Sequence, residues 1–365
     1  MHIAIDARAI KSSTGTVLQM LLPHLQRLDT RRRYTVIMKE RDRGFWTPDA
    51  PNFNTAFVDV EDYSVGVQTR YLALLRALKP DLTWFFMPEQ PLLYRGRSVT
   101  MFHDFTMQKT PAAGTGRRWR SYLKIPMGRF VFWAAVRKSV LITCPSQYTR
   151  RELLQRYGTD PAKVRTIYNG AEMAMPDPKP YPQPFGKFLL YVGQHGWHKN
   201  IPRLCEAHQK LLNKHPDLGL ILVGKIDLWA QRNKDWCKAQ GMRNIHFAGF
   251  LPNSQRDWLY GQAEAYVFPS LAEGFGLPGI EAMMHGTPVV SSNATCLPEV
   301  YGDAVRYFNP ESVDNMAQAI DAVLSDEMLR DELIERGFVQ AKRYSYERMA
   351  MEILSLFDEA TERCQ

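Results

Sequence analysis

At 365 residues the chain is too long for one ordinary core and suits two domains of about 150–200 residues each. Apolar residues make up 45% of it, which excludes a disordered chain, and no repeat with a period of about 20–50 residues is visible, which excludes a solenoid. The net charge of +8 is unevenly spread: residues 1–184 carry 28 Lys+Arg against 15 Asp+Glu (+13), and residues 185–365 carry 18 against 23 (−5). The basic half suits phospholipid head groups or an anionic acceptor, while no zinc-knuckle, RNP-type or helix-turn-helix signature supports a nucleic-acid partner.

The chain opens Met-His-Ile-Ala-Ile-Asp-Ala-Arg, a first β-strand at once, with no basic region before a long apolar run. No signal peptide is expected. Strands are predicted at residues 3–6, 34–38, 82–86, 98–102, 140–144 and 164–168, with helices at 17–28 and 68–78 between them. Strand–helix alternation implies a mostly parallel sheet covered on both faces. The densest apolar run, 130–136, is far too short to span a bilayer, which needs about 20 residues. Residues 116–138 interleave Arg and Lys with Trp, Tyr and Phe, the composition of an interfacial membrane-binding segment, and Arg31, Arg32 and Arg33 add to it. The same pattern also suits a half-buried helix with a solvated basic side.

After Asn169-Gly170 the character changes: Pro176, Pro178, Pro180, Pro182 and Pro184 alternate, which forbids a regular helix or a central strand. A linker is expected at 171–187, between an N-terminal domain (1–170) and a C-terminal domain (188–345). A second series of strands follows at 188–192, 218–223, 245–247, 265–268 and 287–291, with helices at 201–214, 255–261, 279–285 and 313–325. The last helix, 346–362, is expected to cross back to the N-terminal domain. Cys144, Cys205, Cys237, Cys296 and Cys364 are odd in number and lack CxxC spacing, so reduced thiols in a cytoplasmic protein are expected, with no disulfide framework or structural zinc. Open α/β sheets bind ligands at the carboxyl ends of their strands, so two such sheets facing each other would form an interdomain cleft.

The most informative stretch is 268–283, Phe-Pro-Ser-Leu-Ala-Glu-Gly-Phe-Gly-Leu-Pro-Gly-Ile-Glu-Ala-Met. A strand ends, a glycine-rich loop follows, and a helix opens near Pro278, where a missing N–H costs nothing. Free backbone N–H groups and the helix dipole there suit a diphosphate. Gly274 and Gly276 admit close backbone approach. Glu273 and Glu281 lie eight positions apart and can address one ligand from two ends.

Glu273…Glu281 resembles the Glu-x7-Glu pattern of retaining GT-B glycosyltransferases, and Glu-Gly-Phe-Gly-Leu-Pro…Glu-Ala-Met resembles the form seen in glycosyltransferase family 4. Gly193…Lys199-Asn200 is similar to that family's donor-phosphate loop, and Ala248-Gly249-Phe250-Leu251 to the loop beside the nucleotide base. Thr14-Gly15, Phe102-His103-Asp104, Pro145-Ser146 with Thr149–Leu153, and Ile167–Gly170 extend the likeness through the N-terminal half. The resemblance implies a GT-B fold of two Rossmann-like domains with parallel sheets facing an interdomain cleft. It implies a retaining transfer from a nucleotide sugar to a glycan or lipid-linked acceptor, without cofactor or metal, at the cytoplasmic leaflet of a membrane.

The same resemblance assigns Glu273, Lys199 and His103 to catalysis. It assigns Gly15, Gly193, His198, Lys199, Gly249, Phe250, Leu251, Glu273, Gly274, Phe275, Gly276, Leu277 and Glu281 to the nucleotide sugar, with Glu273 at the sugar and Glu281 at the ribose. Lys199 would stabilise the leaving diphosphate, and the transition state would resemble an oxocarbenium ion. Read without the family, Lys199 is a solvated helix-start lysine and His103 and Gly15 are turn residues. Where many relatives carry arginine this chain has Gln194 and His198, which weakens the phosphate contacts and makes one of them titratable. GDP-mannose is the expected donor, with UDP-sugars and a non-catalytic scaffold as alternatives.

Overall fold

The first residues go straight into a buried strand: Ile3, Ala4 and Ile5 are wholly shielded in β1 (His2–Asp6). In this computed structural model residues 1–106, 118–172 and 177–363 are described, with the backbone alone at 118–127. The chain divides into two compact units, Met1–Gly170 with Ser345–Gln365, and Ala171–Tyr344.

In the first unit β1 is joined by β2 (Arg33–Lys39), β3 (Phe53–Val58), β4 (Leu82–Phe85), β5 (Ser98–Met101), β6 (Leu141–Cys144) and β7 (Val164–Thr166). They form one parallel sheet in the order β3-β2-β1-β4-β5-β6-β7. Helices α1 (Gly15–Leu28), α2 (Leu72–Leu78), α3 (Arg118–Lys138) and α4 (Gln147–Tyr157) alternate with the strands. The helix expected at 68–78 begins with a π-helical turn, Val67–Tyr71, that buries Tyr71 before α2. Ser146 starts α4 by accepting the Thr149 N–H, which satisfies an otherwise orphaned donor. β3 was not expected; it is an edge strand whose Asn54 and Thr55 interrupt the apolar pattern.

The second unit holds β8 (Lys187–Val192), β9 (Leu218–Val223), β10 (Ile245–Gly249), β11 (Ala265–Phe268), β12 (Val289–Ser292) and β13 (Val305–Phe308). All neighbours are parallel, in the order β10-β9-β8-β11-β12-β13. Its helices are α5 (Ile201–Leu211), α6 (Leu228–Ala239), α7 (Asn253–Gln262), α8 (Leu277–Met284), α9 (Leu297–Tyr301), α10 (Val313–Ser325) and α11 (Glu327–Ala341). The proline-rich stretch is anchored within this unit: the Lys179 N–H donates to the Ser254 carbonyl (3.0 Å), and the Tyr181 hydroxyl meets His246 Nε2 (2.9 Å). Pro176 and Cys364 lie outside the described residues.

The last helix, α12 (Tyr346–Glu362), belongs to the first unit. Its Ile353, Leu356 and Phe357 are buried, and Phe357 meets Trp84 of β4 edge-on at 5.6 Å. Arg165 closes the end of α12 with a forked ion pair to Glu359. In each sheet the strand order reverses beside the first strand, between β1 and β4 and between β8 and β11. Diverging loops leave an open crevice at the carboxyl ends of the strands there.

Candidate active site

At the β8/β11 crevice three adjacent strands end in glycine. The Gly193 N–H donates to the Val223 carbonyl, and the Gly224 N–H to the Gly249 carbonyl, both at 2.9 Å. Gly193 has φ +153°, and a Cβ there would lie 2.8 Å from the Tyr191 hydroxyl. A floor of close-packed backbone results, in which Tyr191 fills the space beside Gly193 and the Gly193 carbonyl fills that beside Gly224, so both positions require glycine. Gly224 escaped sequence reasoning, although its position after the apolar run of β9 was the available signal.

Two loops rise from this floor. After β8, a 3-10 turn at Trp197–Lys199 ends in Asn200, whose left-handed backbone (φ 58°) sets the start of α5. The Asn200 side-chain amide donates to the carbonyls of Pro269 (3.1 Å) and Pro310 (2.8 Å). The Leu271 N–H donates to the His198 carbonyl at 2.7 Å, tying the β11 loop to the β8 loop. Lys199 and Glu273 are thereby brought together: Nζ lies 2.5 Å from Oε1, with both side chains largely shielded from solvent. The ammonium also lies 5.5 Å from the Phe268 ring centroid.

Glu273 is held from behind, its N–H donating to Thr295 Oγ1 (3.1 Å) and its carbonyl accepting from the Cys296 thiol (3.3 Å). Gly274, Phe275 and Gly276 are buried, Phe275 packing edge-on against Tyr344, and Leu277 is half-buried. Gly276 takes φ +100° and its carbonyl accepts from the Tyr301 hydroxyl at 2.5 Å, turning the chain into α8. One turn on, Glu281 Oε2 accepts from the Tyr260 hydroxyl at 3.0 Å. At the end of β10, Gly249 is left-handed (φ 76°), Leu251 is buried and Phe250 is 80% exposed. His198 stands at the 3-10 turn, its ring edge-on to Trp197.

His103 and Gly15 belong to the first unit. His103 follows β5, and its Nε2 lies 2.8 Å from the Phe86 carbonyl, so Nε2 donates and Nδ1 is left as an acceptor. Burial pushes the imidazole down to about 4, only partly offset by that carbonyl, which keeps the ring neutral. The space beside Gly15 is filled by the carbonyls of Ala9 and Ile10, so its own turn requires glycine there. At the β1/β4 crevice Arg8 is buried, with Nε and Nη2 each 2.9 Å from an Asp6 oxygen, and Nη2 2.8 Å from the Glu89 carbonyl. Its guanidinium also covers the Tyr71 ring at 4.2 Å. This network went unread in the sequence, because Glu89 and Tyr71 lie far from Asp6 along the chain.

Residues 23–174 match the family described as Glycosyltransferase Family 4, and residues 181–340 the family described as Glycosyl transferases group 1. The chain is 30% identical over 273 residues to the O-antigen chain mannosyltransferase B of Escherichia coli, covering 72% of this chain and 70% of that one. The chain belongs to glycosyltransferase family 4. A second family 4 relative, the serotype-specific mannosyltransferase WbdA of Escherichia coli, is 39% identical over 167 residues, 44% of this chain and 20% of that protein. The GT-B fold is seen again in a sucrose-phosphate synthase from Thermosynechococcus elongatus, with a TM-score of 0.77, 17% identity and 98% of both chains covered. Among the described residues, no helix of this glycosyltransferase is long and apolar enough to cross a membrane.

Proposed function

We propose that this glycosyltransferase moves a mannosyl group from GDP-mannose to a glycan or lipid-linked acceptor, with retention and without a metal. The observation that carries the reading is the Lys199–Glu273 ion pair at the β8/β11 crevice, with Glu281 at the far side of the same turn. Lys199 and the backbone N–H groups around Gly193 face the diphosphate and stabilise the charge that grows as the C1–O bond breaks. Glu273 holds the sugar hydroxyls and Glu281 the ribose. The acceptor hydroxyl attacks C1 from the face the diphosphate leaves, and its proton passes to a β-phosphate oxygen. The choice of mannose is supported by the two mannosyltransferase relatives.

The test is thermal stability against GDP, UDP and their sugar conjugates, followed by product NMR. Stabilisation by GDP species, an α-linked product and transfer unaffected by EDTA are expected. A response to UDP species alone would replace the donor, a β-linked product would overturn retention, and no response to any nucleotide would overturn the transfer reading.

The same reading puts the enzyme at an anionic membrane surface on the cytoplasmic side. On α3, Phe130 and Trp133 are about half exposed and stacked at 5.8 Å, with the exposed Arg129 and Arg137 alongside. Phe132, on the opposite side, packs into the core against Phe102. The remainder of the basic segment, residues 116–117 and the side chains of 118–127, lies outside the described residues. Arg32 contributes nothing to such a face, because Asp29 and Asp358 hold it. Co-sedimentation with anionic vesicles, reduced several-fold in Phe130→Ser/Trp133→Ser, is expected; failure to bind at low salt would sink the idea.

A further inference from the structure

Glu281 has neighbours for which the transfer chemistry gives no role. Helix α7 presents Arg256 and Tyr260, four residues apart and so on one face, toward α8. Tyr260 is wholly buried and fixed at three points. Its ring stacks on His285 (5.4 Å, 22°), packs against Tyr266 at 5.6 Å, and its carbonyl accepts from the Thr287 hydroxyl. A ring that cannot move sets where its hydroxyl points, and that hydroxyl donates to Glu281 Oε2 at 3.0 Å. Burial raises the phenol far above its ordinary range, so it remains a donor at any physiological pH.

Arg256 lies near the same carboxylate but pairs with Asp257. Its Nη2 donates to Asp257 Oδ1 at 3.1 Å, while Arg256 Nε and Asp257 Oδ2 are buried with no partner. Burial disfavours the guanidinium charge, and the nearby Glu281 is the largest influence opposing that. With Oε2 committed to Tyr260, the other carboxylate oxygen is left as the open acceptor, in one orientation.

We propose that Tyr260 is the positioning residue that aims the Glu281 carboxylate at the 2′,3′-diol of the nucleoside diphosphate. A vicinal diol delivers two O–H donors at a fixed angle, and a carboxylate reads it well only if it is oriented beforehand. A phenylalanine would fill the same space, so the hydroxyl serves orientation and not packing. The proposal rests on Glu281 addressing the ribose, as in the preceding reading.

Binding of GDP and UDP, each against its 2′,3′-dideoxy form, tests it by calorimetry on the full chain. The wild type is expected to prefer the ribose form by about tenfold or more, the size of a lost charged hydrogen bond. Tyr260→Phe should keep the dideoxy affinity and its melting temperature, and lose most of that preference. A Tyr260→Phe protein with the full preference, or with equal losses for both forms, would overturn the proposal while leaving Glu281 at the ribose. A wild type with no preference would overturn the ribose assignment and this inference with it. If Tyr260→Phe does not fold, His285→Leu, which removes the ring stacked on Tyr260, is measured in the same way: a reduced preference supports the proposal, an unchanged one refutes it.

Discussion

Lys199 and Glu273 neutralise each other across 2.5 Å, so the cation that should meet a diphosphate already has a partner. An arriving phosphate must compete for it or share it. Lys199→Met should lower kcat/KM for transfer by about 10²–10³, the cost of losing one preorganised donor to a developing oxyanion; steady-state kinetics on folded protein would check this. Gly276 carries a different burden. At φ +100° a side chain is strained, and its Cβ would sit 2.5 Å from the Tyr301 hydroxyl and 2.7 Å from Leu297. Gly276→Ala should therefore destabilise by about 2 kcal/mol or more, read as a shift in urea midpoint. Of the candidate site, the Glu273–Glu281 spacing and the Gly193–Lys199 segment were legible in the sequence, being local, whereas the meeting of Lys199 with Glu273 comes from the fold. Tyr260, Thr295 and Gly224 were not legible, because only the tertiary fold brings them to that loop.

Among the elements, strands buried on both faces were read almost to the residue, since parallel central strands are continuous apolar runs. The strands 218–223 and 265–268 were read without error, whereas β13 was missed, Arg306 and Tyr307 breaking its run. Helix α6 was missed as well. It buries only Ala230, Asn233 and Cys237, a stripe too narrow and polar to stand out. In α11 the buried positions are Leu333, Gly337, Gln340 and Ala341, hidden among charged residues. Helix α12 was legible from its buried Met349, Ile353, Leu356, Phe357 and Ala360. Its packing carries weight: Phe357→Ala should cost about 3–5 kcal/mol, the usual range for a fully buried aromatic, and should show as earlier unfolding of the first unit.

Across the whole molecule, buried histidines make stability pH-dependent. His195 and His208 are both fully buried, and burial lowers each to about 4. His208 has partners for both nitrogens, in the Leu218 carbonyl and Gln209, whereas neither nitrogen of His195 has one. Below the ordinary value of about 6.5 the unfolded chain takes up these protons more readily than the folded one. Their contribution is thus complete above that pH and shrinks as pH falls toward 4, by about 2 kcal/mol each at pH 5. Urea melts at pH 7 and pH 5 should show the loss, and His195→Leu should reduce it without weakening the protein at pH 7; an unchanged difference between the two pH values would refute the assignment. The path of the chain has a consequence for truncation. The first unit needs residues from both ends of the polypeptide, while the second lies wholly between them, from Ala171 to Tyr344. The second unit can therefore complete its fold without the closing helix, which the first unit cannot. Without α12 the surface around Trp84 stays uncovered, and a chain truncated after Tyr344 should carry a protease-resistant second unit beside a sensitive first one.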